Sequence, residues 1–225
     1  MLLGKKLATS ALMVGASLFS IASQALVIDF TSSAWQGANS QTTFSNGGVT
    51  LTGSDTMTFN GSSGERNGCN ASSSEIDPTP GIPLACDGDG IGIRGSDEIT
   101  GNSSQSLTIT FDNAVNIIQI ELLDLFDNEG SNGDPEVAIF TLGSDVETFD
   151  GIFAPGNNGG YVATGYTASD VTSLTLTAGA DTWSDYALAR ITTGVNSSST
   201  PVAEPSSLAL LGLGLLGLAR ARKNG

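Results

Sequence analysis

Ser106-Leu-Thr-Ile-Thr-Phe-Asp112, followed by Val115-Asn-Ile-Ile-Gln-Ile-Glu-Leu-Leu-Asp-Leu-Phe126, decides the fold class. In the first run Leu107, Ile109 and Phe111 fall on one face and Thr108 and Thr110 on the other. That period of two belongs to a strand with one face in a core and one in water. The second run is longer and more apolar, as expected of a central strand covered on both faces. Further short β-branched or alternating runs lie outward on both sides. They occupy residues 26–30, 49–52 and 57–59 before this segment, and 137–142, 172–177 and 186–192 after it. Gly, Ser and Asn separate them, and none shows convincing 3.6-residue periodicity. The pattern predicts an all-β domain over residues 26–193, an antiparallel β-sandwich of jelly-roll-like type. No internal repeat is evident, which argues against a propeller or solenoid.

Charge and composition restrict the chemistry. The chain has 225 residues, with 8 Lys+Arg against 23 Asp+Glu, no His and 2 Cys. Five of the basic residues lie near the termini, so residues 26–200 hold 3 basic against 22 acidic side chains, a net charge of −19. Phosphate backbones repel such a surface, which excludes nucleic acid as a partner. Without His there is no Ser-His-Asp or Cys-His catalysis, and the commonest zinc ligand is missing. Cys69 and Cys86 fall in the least regular stretch, residues 60–90. In an oxidising compartment they are expected to pair, the competing reading being two free thiols.

The two ends read as addresses. Lys5 and Lys6 precede an uncharged apolar stretch over residues 7–21, and Ser23 and Ala25 place small side chains at −3 and −1 of a cleavage site. Residues 1–25 are thus expected to be a signal peptide, competing with a reading as a first core helix. Residues 194–202 are expected to form a flexible linker. The end of the chain, residues 203–225, reads AEPSSLALLGLGLLGLARARKNG. A Glu-Pro pair precedes 12 apolar residues, 208–219, and then come Arg220, Arg222 and Lys223. The apolar run makes about 18 Å of helix against a hydrocarbon core of about 30 Å, a short membrane helix with a cytoplasmic basic tip. Gly212, Gly214 and Gly217 spell G-x-G-x-x-G, but no strand precedes them and no acidic residue follows, so a dinucleotide site is not expected.

This order of box, short Leu/Gly/Ala helix and Arg-rich tail resembles the PEP-CTERM sorting signal of Gram-negative bacteria that make extracellular polysaccharide. Glu204, Pro205, Ser206 and the run L-A-L-L-G-L-G-L-L-G-L-A match the family pattern, while Ala203 stands where the family usually has its first proline. The resemblance implies recognition by an exosortase, a membrane-embedded cysteine protease-transpeptidase. Processing would fall at the Ala203, Glu204, Pro205, Ser206 box. It also implies export across the inner membrane, transient membrane anchoring, and delivery to the cell surface or extracellular matrix.

Two acidic clusters are candidate Ca²⁺ ligands. Laid on a twelve-residue EF-hand loop, Asp87, Asp89 and Glu98 fall at ligand positions. Ile91, however, occupies an oxygen slot and neither flank looks helical. A looser site using Asp87, Asp89, Asp97 or Glu98 with backbone carbonyls is the expectation to test, against solvated turn acids as the default. The second cluster follows the long apolar strand: Asp124, Asp127, Glu129 and Asp134, with Asn128 and Glu136. Crowded carboxylates favour a cation, against a solubilising loop as the plain alternative. The aromatic residues that could stack on a sugar are few: Trp35, Trp183, Tyr161, Tyr166 and Tyr186. The overall expectation is a non-enzymatic, exosortase-sorted protein of a polysaccharide or biofilm layer. The alternatives are a carbohydrate-binding module, Ca²⁺-dependent or not, and then a glycan-active hydrolase.

Overall fold

The structure is a computed structural model that describes residues 26–59, 69, 84–94, 98–101, 104–129, 133–151, 160–180 and 184–194. The expected signal peptide, the linker beyond Gly194, the sorting signal, Asp97 and Trp183 lie outside the described residues. Within them the chain is β throughout, apart from a 3-10 helix at Ser33–Ala38. The strands are β1 (Val27–Asp29), β2 (Thr43–Asn46), β3 (Val49–Gly53), β4 (Met57–Phe59), β5 (Ile91–Ile93), β6 (Leu107–Leu123), β7 (Val137–Leu142), β8 (Asp145–Asp150), β9 (Val162–Ala163), β10 (Ala168–Ala178) and β11 (Ala187–Gly194). They form one antiparallel sheet whose main path is β4-β5-β11-β6-β10-β7-β8.

The two runs that decided the fold class are one strand, not two. β6 is 17 residues long. Its residues 107–111 lie between β3 and β10, and residues 119–123 lie between β11 and β9. Along the first part Leu107, Ile109 and Phe111 are buried against Leu51, Leu174 and other core residues, while Thr110 is exposed. Along the second part residues 120–123 are all buried. Leu122 and Leu188 join the main core, whereas Leu123, Ala187 and Ala189 join a smaller cluster with Cys69 and Leu84. Neighbouring residues of a strand point to opposite faces, so this end of the sheet carries cover on both sides.

The outward face of the other part is unusually uniform. Thr43, Thr52, Thr108, Thr175 and Thr141 are successive cross-strand partners through β2, β3, β6, β10 and β7. A second row, Ser45, Thr50, Thr110 and Ser173, runs beside it. Beyond β7 lies β8, whose Asp145, Glu147 and Asp150 are exposed. Charges on such an outer strand discourage pairing with another chain.

β2, β5, β8, β9 and the 3-10 helix are absent from the sequence expectation. β8 (Asp-Val-Glu-Thr-Phe-Asp) is exposed at all but Phe149, so it buries too little to carry an apolar signal. β5 (Ile-Gly-Ile) is the opposite case, three residues buried inside a stretch whose acids drew the eye. β11 runs to Gly194, one residue into the segment read as linker.

Candidate functional site

The described candidate ligands of the first cluster flank β5 in the chain, Asp87 and Asp89 before it and Glu98 after it. Asp87 is exposed, and its Oδ2 accepts from the Ser33 amide at 2.8 Å, pinning the segment before β5 to the 3-10 helix. Asp89 is buried, and Glu98 contributes its backbone carbonyl to the Ile93 amide at 3.0 Å. Between them Ile91 and Ile93 are fully buried in the main core. Of the second cluster, Asp124 takes a left-handed backbone with φ 58 at the end of β6. Asp127 is half-buried, and Glu129 and Asp134 are exposed. Among the described residues no group of three or more Asp, Glu or Cys is arranged to hold a metal ion.

The structure instead singles out Glu136, which is 1% exposed. Its Oε2 accepts from the Phe126 amide at 2.6 Å, its own amide donates to the Phe126 carbonyl at 2.9 Å, and its carbonyl accepts from Gly151 at 2.8 Å. Glu136 therefore ties the end of the β6 segment to the start of β7 and the end of β8. The approach is so close that a Cβ on Gly151 would sit 2.0 Å from the Phe126 carbonyl oxygen. Burial pushes the Glu136 carboxyl up from 4.5 to about 9. The Phe126 amide opposes the rise, and a hydrogen bond and charge from Asp185, with the charge of Glu129, add to it. Burial and Asp185 thus both favour the protonated form of Glu136.

A carboxyl raised on folding makes stability fall with pH. Below pH 4.5 both states are protonated and the contribution is complete; between 4.5 and about 9 the folded state alone keeps the proton. The contribution is therefore lost as pH rises through that window. Glu136→Gln supplies an oxygen for the Phe126 amide and a permanent donor for Asp185. Its melting temperature is expected to gain steadily on the wild type from about pH 5 to pH 9. Thermal melts of both proteins across that range check this, and a constant gap rejects a protonated Glu136.

Aromatic platforms are mostly withdrawn into the core. Trp35 is 3% exposed and packs on Phe30 and Phe44, with ring centroids 4.7 and 6.0 Å away. Tyr166 and Tyr186 are buried, and Tyr161 is half-buried beside the smaller cluster. A cavity of about 270 Å³ opens beside Trp35, lined by Ile28, Val49, Asp29 and Asn46 among others. Its polar side chains are engaged in the fold. Asp29 accepts from Thr31 and from the Ala85 amide, and Asn46 donates to the Ala34 carbonyl.

Two further polar features escaped the sequence reading, and a third was expected. Asp185 partners Glu136 across the core rim. Arg190 of β11 and Glu121 of β6 are cross-strand partners, both fully buried, with Arg190 Nε donating to Glu121 Oε2. Cys69 and Cys86 are bonded to each other, Cα atoms 5.6 Å apart, as the oxidised reading expected. The signal for the ion pair was present: a lone arginine and a lone glutamate, each inside an apolar run. Among the described residues no helix is long and apolar enough to cross a membrane.

No curated protein and no solved structure matches the chain. Residues 201–223 match the family of the PEP-CTERM protein-sorting motif, a span that includes Ala203, Glu204, Pro205 and Ser206. The chain therefore carries a PEP-CTERM sorting motif, which implies an exported protein sorted to the cell surface by an exosortase.

Proposed function

We propose that the protein is a non-enzymatic structural component of the cell surface or of an extracellular polysaccharide layer. In this reading the β domain is a jelly-roll-like sandwich, with β6 bending from one sheet into the other. The observation that carries the proposal is the sorting motif at residues 201–223 behind an acidic, disulfide-closed β domain. A matrix protein needs delivery, resistance to unfolding outside the cell and solubility, and these features supply one each. The exchange of partners along β6, from β3 to β11 on one side and from β10 to β9 on the other, supports the sandwich, since strands that switch sheets do so by bending. The Glu136–Asp185 pair is the nearest approach to a hydrolase's split carboxyls. Glu136 is enclosed by the Phe126 and Gly151 backbones, which suits a structural pin rather than an acid that meets a substrate.

Deleting the gene is expected to weaken biofilm or floc cohesion. Removing residues 203–225 alone should reproduce that defect while the domain still folds and leaves the cytoplasm. Surface immunolabelling and matrix shear resistance measure both effects. An intact matrix in the deletion strain, or release of reducing ends from matrix glycan by the purified chain, overturns the proposal.

A further inference from the structure

The first residues after the expected signal peptide are built into the sheet at once. Leu26 gives its backbone N–H to Thr193 Oγ1 at 3.0 Å. Its carbonyl accepts from the Thr193 amide at 2.9 Å and from the Thr193 hydroxyl at 3.1 Å. Leu26 as a whole is 41% exposed, so its backbone is closed off by hydrogen bonding and not by enclosure. Behind it the chain has no slack. Val27, Ile28 and Asp29 pair with Thr192, Ile191 and Arg190, and the Phe30 amide donates to the Ala189 carbonyl at 2.8 Å. Ile28 and Phe30 belong to the main core, and Thr193 is itself buried.

This docking bears on the Ala25–Leu26 bond, the expected cut. Hydrolysis there adds water across the amide, leaving a carboxylate on Ala25 and an α-ammonium on Leu26. The leaving nitrogen is the one that donates to Thr193 Oγ1. A peptidase takes its substrate as an extended strand and makes backbone hydrogen bonds of its own to it. On the Leu26 side those groups are already engaged, and freeing them means lifting β1 away with Ile28 and Phe30. Opening a strand whose side chains fill the core approaches the cost of global unfolding.

The partner comes late. Leu26 and Thr193 are 167 residues apart. At synthesis rates of about 5–20 residues per second, that separation takes roughly 10–30 s to cover. Among the described residues β1 pairs with β11 alone. Until β11 has crossed the membrane, the bond ahead of Leu26 is therefore open.

We propose that the signal peptide is removed only in this interval, because the pairing of Leu26 with Thr193 withdraws the Ala25–Leu26 bond from hydrolysis. A peptide-bond hydrolysis must precede closure of the sheet, and a chain that closes uncut keeps residues 1–25. The proposal rests on the signal-peptide reading and is independent of the matrix reading.

The precursor, residues 1–225, is accumulated under signal-peptidase inhibition, purified in detergent, shown to be folded by its melting transition, and then given active signal peptidase. Gel shift and N-terminal sequencing read the cut. A second precursor carries Ser-Gly-Ser-Gly-Ser-Gly between Ala25 and Leu26, which moves the bond up to about 20 Å from the sheet. The folded wild type is expected to be cut at least about tenfold more slowly than this variant. Thr193→Val keeps a β-branched side chain but removes the acceptor of the Leu26 amide, and is expected to raise the wild-type rate several-fold. In growing cells, pulse-labelled wild-type and insertion chains should mature at the same rate, since both are cut before β11 arrives.

Equal rates for the two folded precursors overturn the proposal, as does a wild-type rate in Thr193→Val. Slower maturation of the wild type in cells also overturns it, by assigning the difference to the inserted sequence. A mature chain that begins elsewhere than Leu26 overturns it through the cut site and leaves the matrix reading standing. An intact matrix in the deletion strain ends the matrix reading alone.

Discussion

Arg190→Met is expected to destabilise the domain by about 3–5 kcal/mol, a large part of the total stability of a domain this size. Arg190 and Glu121 are both fully buried, and they face each other across the β6–β11 ladder. Removing the guanidinium leaves a carboxylate in a site that water does not reach, and the desolvation cost of that charge then has nothing to offset it. Glu121→Leu should cost a similar amount for the same reason. The double variant, Arg190→Met with Glu121→Leu, should recover most of the loss, because two apolar side chains of similar length fill the site without any charge to desolvate. Urea denaturation of the four proteins gives the coupling directly. Additive losses in the double variant would show that the two side chains matter for their packing and not for each other.

That ion pair also marks where the sequence was legible and where it was not. Leu107, Ile109 and Phe111 could be assigned to a core because alternation is a local signal that one strand carries by itself. The division of β6 between two sets of neighbours is not local. It depends on β3, β9, β10 and β11 arriving from distant parts of the chain. Ile91 and Ile93 were hidden for a related reason: three residues are too few to establish a period, and the surrounding acids suggested a ligand loop. Candidate sites fared according to chemistry. The sorting box is read by a partner as a linear string, so composition and order sufficed to find it. Glu136 acquires its raised pKa from burial and from Asp185, against the opposing Phe126 amide, and nothing in the sequence links those positions to it.

Loss of the Cys69–Cys86 bond should be the second large effect, about 3 kcal/mol on the chain-entropy model for a separation of 17 residues. For a domain of this size that is a fall of about 6–12 °C in melting temperature. One side of the bridge is anchored independently. The Ala85 amide donates to Asp29 at 2.7 Å, the Cys86 amide to the Thr31 hydroxyl at 3.0 Å, and the Gly88 amide to the Thr31 carbonyl at 3.0 Å. The segment around Cys86 should therefore stay docked on the end of β1 when the bond is cut, while Cys69 loses its covalent tie to that segment. Cys69 packs with Leu84 over Leu123, Ala187 and Ala189, on the face of β6 and β11 that also carries Glu121 and Arg190. Reduction should thus admit water to the ion pair. In water two separated charges are cheap to leave unpaired, so Arg190→Met should cost markedly less in the Cys69→Ala, Cys86→Ala background than in the oxidised protein. Melts with and without reductant test the first step, and the double-variant cycle tests the second. A wild-type melt indifferent to reductant refutes the stabilising bridge. An undiminished Arg190→Met penalty without the bridge shows instead that the strands alone keep the ion pair dry.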